Sequence, residues 1–166
     1  MGLKRVSVIG LCLAAVAAVV MLAAVIIRPP KIYISEICPS NSETSEKTAM
    51  QDKNGEPSDW IEIYNPTNKD ISLTGFSLSK NGGGDQPLGG YVIKAHDYII
   101  VYCSSAGFEN ADFPHADFSI GKVSEEEIIL KYDSLQCESI KLPKLNKGVS
   151  YSKNAKGEMY VSEPTP

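Results

Sequence analysis

From Asp59 to Asn65 the chain alternates without a break, with Trp60, Glu62 and Tyr64 on one side and Ile61 and Ile63 on the other. A period of two puts successive side chains on opposite faces of a strand, and a helix cannot hold such a pattern in one stripe. The same reading recurs along the chain. Ile32–Cys38 is β-branched and aromatic, and Ile71–Leu73 and Phe76–Ser79 are short runs split by Thr74-Gly75. Val92-Ile93 and Tyr98–Cys103 flank a turn at Lys94–Asp97, and Glu127–Tyr132 and Gln136–Leu142 flank Asp133-Ser134-Leu135, a hairpin signal. Val149–Ser152 and Met159–Val161 are weaker candidates, and no window beyond residue 30 carries a helical period. Many short strands separated by turn chemistry predict an all-β sandwich. Pro39–Ser58, Lys80–Gly90 and Ser104–Asp117 read as long polar connections, the places where a sandwich would bind.

A different segment precedes this domain. Residues 6–27 are 22 consecutive positions without a charge, bounded by Lys4-Arg5 and by Arg28-Pro29-Pro30. As a helix the run is about 33 Å long, against a hydrocarbon core of about 30 Å. It exceeds the apolar stretch of a signal peptide, and no cleavage site follows Ile27, so an uncleaved anchor is expected. The expected organisation is a cytoplasmic basic terminus at 1–5, a transmembrane helix at 6–27, a linker at 28–31 and a β domain at 32–166. The short basic end stays inside and the domain faces out, which places the protein in the cell membrane as a single-pass chain.

Charge narrows the partners. Three of the 16 Lys and Arg and none of the 20 Asp and Glu precede residue 31, leaving 13 against 20 in the domain. A domain near −7 lacks the basic footprint that nucleic acid requires. The expected partners are the membrane, through residues 6–27, and a protein or cell-envelope component. Cys38, Cys103 and Cys137 lie in strand-like runs; buried thiols are expected, with one disulfide plus a spare as the alternative.

Candidate chemistry is sparse. Asp52, Asn54, Asp59 and Glu62 offer oxygen ligands around a Gly turn, a pattern suited to calcium, but the distal bidentate Glu of an EF-hand is missing. Calcium is thus the one cofactor worth testing, beside the plainer reading of a polar turn. His96 and His115 read as surface turn residues, and no nucleophile motif accompanies them. Asn81-Gly-Gly-Gly-Asp85 lacks the Lys-Ser/Thr of a phosphate loop. Trp60, Tyr64, Tyr91, Tyr98 and Tyr102 read as core, with Trp60 packed between the sheets. The chain is not expected to be an enzyme.

Several segments carry a resemblance. Ile34-Ser-Glu-Ile-Cys-Pro-Ser-Asn41, Asp59-Trp-Ile-Glu-Ile-Tyr-Asn-Pro66 and Ile71-Ser-Leu-Thr-Gly-Phe-Ser-Leu-Ser79 resemble the opening blocks of lamin-tail domains. Tyr91–Ser104, Ala116–Ile120 and the strand pair at 127–142 fit the family's later blocks, while His96-Asp97 stands where that family usually has a Gly pair. The resemblance implies an immunoglobulin-like sandwich of the membrane-anchored bacterial type. It implies a non-catalytic interaction or scaffold module, or else an accessory domain of an extracellular hydrolase or spore-coat kinase-like enzyme. A calcium- or glycan-binding surface module is the third option.

Overall fold

The computed structural model describes residues 28–39, 41, 57–104, 113–121, 125–146 and 148–165. The expected helix at 6–27 lies outside them, and no described helix is long and apolar enough to cross a membrane. Twelve strands follow one another among the described residues: β1 (Tyr33–Cys38), β2 (Asp59–Tyr64), β3 (Ile71–Ser72), β4 (Phe76–Lys80), β5 (Gln86–Pro87), β6 (Val92–Ile93), β7 (Tyr98–Cys103), β8 (His115–Ala116), β9 (Glu126–Tyr132), β10 (Leu135–Leu142), β11 (Ser150–Lys153) and β12 (Met159–Ser162).

They form an immunoglobulin-like sandwich. One sheet has six strands in the order β12-β11-β1-β2-β7-β8, the facing sheet has four in the order β10-β9-β4-β5, and β3 and β6 make a separate pair. Every pairing is antiparallel except β7 with β8. The alternation in β2 translates directly into layers. Ile61 and Ile63, with Ile34, Ile37 and Val101 beside them, meet Phe76, Leu78, Ile128 and Leu130 of the facing sheet in one core. The β9–β10 hairpin turns on Asp133 and Ser134, both at positive φ (44° and 69°). That is the signature of a two-residue turn whose twist matches its strands. Gly75 at φ 87° is fixed twice over, because an added Cβ would lie 2.9 Å from the Asp133 carboxylate and 3.0 Å from the Tyr132 ring.

The structure departs from the sequence reading in four places. Lys80–Gly90 is not a plain loop, since β5 pairs with β4 through Ser77–Pro87 and Leu78–Gln86. His115 is not in a turn but in β8, opposite Tyr102. Trp60 is fully buried on the face of β2 turned away from the main core, in a second cluster with Cys38 and Tyr102. Tyr98, expected in a core, is 51% exposed.

Cys38, Cys103 and Cys137 are free thiols, the first two buried and the third half-buried. Cys38 faces the Trp60 cluster and Cys103 the main core, so the six-stranded sheet itself separates them. Burial pushes the Cys38 thiol up to about 12, with the Glu36 and Asp59 carboxylates adding to it. Burial also holds the Cys103 thiol well above its ordinary range.

Candidate functional site

The side of the six-stranded sheet facing away from the core would be the wet side of an ordinary sandwich, yet its central residues are sealed. Two β-bulges shape it. An extra residue in β1, Ser35, separates the pairs Ile34–Ile63 and Glu36–Glu62. A matching irregularity lies at Cys137 in β10. A bulge re-aims neighbouring groups. Here it leaves the Ile34 N–H to donate to Glu138 Oε2 of the facing sheet at 2.8 Å, and Lys153 pairs with the other oxygen of that carboxylate. The Lys153 ammonium also lies 4.6 Å from the centre of the Tyr33 ring.

Strand register sets one row of side chains across this face: Tyr160 opposite Ser152, Ser152 opposite Glu36, Glu36 opposite Glu62, and Glu62 opposite Ile100. They line a groove of about 490 Å³ with Ser35, Tyr98, Lys153 and Thr165 at its margins. Glu36 is 2% exposed and Glu62 8%. The Glu36 carboxylate accepts the Thr165 N–H at 3.1 Å and its hydroxyl at 2.7 Å, so the segment after β12 is fastened across one end of the groove. Ser35 Oγ donates to Glu62 Oε1 at 2.5 Å and also reaches the Glu62 carbonyl. At the other end Tyr33, Tyr64 and Tyr98 stack in a row across three strands, with centroids 5.5 and 4.5 Å apart.

Like charges directly opposed across two strands repel. Burial lifts the Glu62 carboxyl above the usual carboxylate range; the Ser35 hydrogen bond opposes that lift and Glu36 adds to it. The native state therefore holds this proton more tightly than the unfolded chain does. Stability from this group is complete below the unfolded value of about 4.3 and is lost as pH rises through the higher native value. Glu62→Gln, whose side-chain oxygen still accepts from Ser35, is expected to raise the melting temperature at pH 7. The gain should shrink towards zero below about pH 4, where the parent carboxyl is already neutral. Melting curves from pH 3 to 8 check this, and a loss at pH 7 that vanishes below about pH 4 would mean that Ser35 needs a carboxylate.

Of the four oxygen donors expected for calcium, the structure describes Asp59 and Glu62. Asp52 and Asn54 lie outside the described residues. Asp59 and Glu62 are three apart in one strand and face opposite sides of the sheet, with Asp59 Oδ2 accepting the Ile120 N–H at 2.7 Å. No group of three or more His, Cys, Asp or Glu suited to a metal occurs among the described residues. His96 sits in an exposed turn at φ 58°, its Nε2 against Asn68 Oδ1. His115 Nε2 lies 3.1 Å from Ser104 Oγ, a contact that spacing alone does not foretell.

A second concavity of about 410 Å³ is lined by Glu125, Glu126, Glu127 and Lys141. Two of its acids are engaged internally. Glu126 meets Lys80 and the Gly121 N–H, and Glu127 accepts from Ser139. In the groove over Glu36 and Glu62 neither carboxylate is ion-paired among the described residues, whereas the second concavity holds the Lys80–Glu126 pair.

Glu36 and Glu62 both fall in the family-like blocks, but the sequence alone does not show that they stand opposite each other; the pairing of β1 with β2 does. The comparisons with known proteins agree with the architecture. Residues 28–141 match the family model described as Lamin Tail Domain. No curated protein matches the sequence.

Proposed function

We propose that this chain, which belongs to the lamin tail domain family, is a membrane-tethered extracytoplasmic module that binds another protein or a cell-envelope component and performs no catalysis itself. One observation carries the reading: the 22 uncharged residues 6–27 end directly before the family match, which begins at residue 28. A helix of that length satisfies its own backbone in lipid and needs no partner to stay there. The domain then stands a few residues from the bilayer, and its acidic balance keeps it off anionic headgroups. The groove on the outer sheet face, with Tyr98 and Tyr160 about half exposed at its margins, is the surface offered outward. Exposed tyrosines supply large contact area at low entropic cost, as interfaces require.

Fractionation of cells expressing the full chain tests the reading. The protein should stay in the membrane pellet through alkaline carbonate washing, and added protease should digest the domain in intact spheroplasts. A chain lacking residues 6–27 should leave the pellet. Carbonate release of the full chain would remove the tether, and protection from protease would reverse the orientation.

A further inference from the structure

We infer that the groove over Glu36 and Glu62 is a binding site for the guanidinium or ammonium side chain of a basic segment on a partner protein. This deepens the interaction reading above and rests on it. Three observations converge. Two carboxylates oppose each other across β1 and β2 at 2% and 8% exposure, with no internal cation on either among the described residues. Lys153, the one basic residue among the described residues lining the groove, is committed to Glu138 and to the face of Tyr33. Of the four carboxylate oxygens, both of Glu36 and one of Glu62 are engaged by neutral donors. Glu62 Oε2 makes no hydrogen bond among the described residues, and it is not sealed from the groove.

A carboxylate nine-tenths buried and directly opposite a second one is costly to keep ionised. A cation seated on it removes the repulsion between the two glutamates and supplies the missing donor. The aromatic surroundings fit the same ligand. Tyr98 is the diagonal cross-strand neighbour of Glu62, since Ile100 lies directly opposite, and its ring stacks on Tyr64. A guanidinium can lay its plane on an exposed tyrosine while its N–H fork reaches a carboxylate, a combination for which arginine suits better than lysine. The domain's charge of about −7 adds long-range attraction for a basic partner, which speeds encounter. Glu36 stays fastened to Thr165, so the ligand addresses Glu62 first.

The full chain in detergent micelles is titrated with the peptide acetyl-Gly-Arg-Gly-Arg-Gly-amide, and in parallel with its citrulline counterpart, which keeps the shape and loses the charge. Heat and Trp60 fluorescence, two positions from Glu62 on the same face, report binding. The arginine peptide should bind in the micromolar range and weaken with salt, and the citrulline peptide should bind at least tenfold more weakly. Glu62→Gln should weaken the arginine peptide at least tenfold, Tyr98→Ala at least threefold, and Glu158→Gln on the exposed β11–β12 turn by less than twofold. Melting curves confirm that each variant is folded. Equal weakening by Glu62→Gln and Glu158→Gln would reduce the effect to net charge and overturn the site. Calcium that displaces the peptide at equimolar concentration from the parent would overturn it in favour of a metal. If the peptide fails while a photo-crosslinker at Tyr160 still captures a protein in native membranes, the groove chemistry is wrong and the interaction reading survives.

Discussion

Asn65→Ala is expected to destabilise the domain by about 3–5 kcal/mol, more than most surface or loop changes could. Asn65 follows the last residue of β2 and is fully buried. Its Nδ2 donates to the carbonyls of Lys69 at 2.8 Å and Lys94 at 2.9 Å, with the Ile93 carbonyl sharing at 3.2 Å. Its Oδ1 accepts from the Thr67 N–H and hydroxyl at 3.0 and 2.7 Å. One amide thus knits the β2–β3 connection to the β6–β7 turn, whose Asp97 carbonyl also receives the Asn65 N–H at 3.0 Å. Alanine deletes both donors and the acceptor while the carbonyls stay where they are. Each lost bond costs about 1 kcal/mol net, and each stranded buried group about 1–3 kcal/mol more. For a domain of this size that lowers the melting temperature by roughly 10–20 °C.

Asn65→Asp is the informative companion. It keeps Oδ1 but turns a carboxylate oxygen towards three carbonyls, so at pH 7 it should lose at least as much as alanine. It should recover part of the loss in acid, where the protonated carboxyl donates again. Denaturant unfolding at pH 4 and pH 7 checks both variants. An alanine variant within about 1 kcal/mol of the parent would show that the two connections hold together without the amide.

Asn65 also marks where sequence reasoning stops. The block Asp59–Pro66 is legible as a strand and as a family signature, because period-two alternation survives any tertiary context. The purpose of its asparagine is not, since two of the carbonyls it serves lie 28 and 29 residues away. The strands legible in the sequence owe their visibility to β-branched and aromatic runs bounded by turn residues. Gln86–Pro87 and His115–Ala116 escape notice because they are two-residue strands without a β-branched or large aromatic run to mark them, as Ile71 and Val92-Ile93 mark β3 and β6, and pairing alone defines them. The groove is half legible. Glu62 stands out as an acid in a strand, but its meaning depends on the register that sets Glu36 opposite it, and on the Ser35 bulge that no local propensity signals. Asp59 and Glu62 invite grouping on paper because they are close in sequence. The alternation that identifies the strand is what sends them to opposite faces.

Trp60 carries the second large effect, and it tests the unexpected side of the sheet. Sequence reasoning puts this residue between the sheets, and the structure seals it on the far face, directly opposite Cys38 in β1 and Tyr102 in β7. Trp60→Ala should cost about 3–5 kcal/mol, as for a large aromatic removed from any core. Trp60→Phe should cost much less than its lost volume implies. The indole Nε1 is buried without a hydrogen-bond partner among the described residues, and phenylalanine removes that stranded donor along with the outer ring. Relief of an unsatisfied buried N–H, about 1–3 kcal/mol, offsets most of the cavity, leaving a net loss of about 1 kcal/mol. Equilibrium unfolding in urea separates the two, and the parent's single tryptophan should emit at short wavelength until it unfolds. If phenylalanine proves nearly as damaging as alanine, the indole N–H has a partner after all and the cluster is polar at its centre. A small phenylalanine loss beside a large alanine loss would establish an apolar second core on the outer face, one that walls the groove beside Glu62.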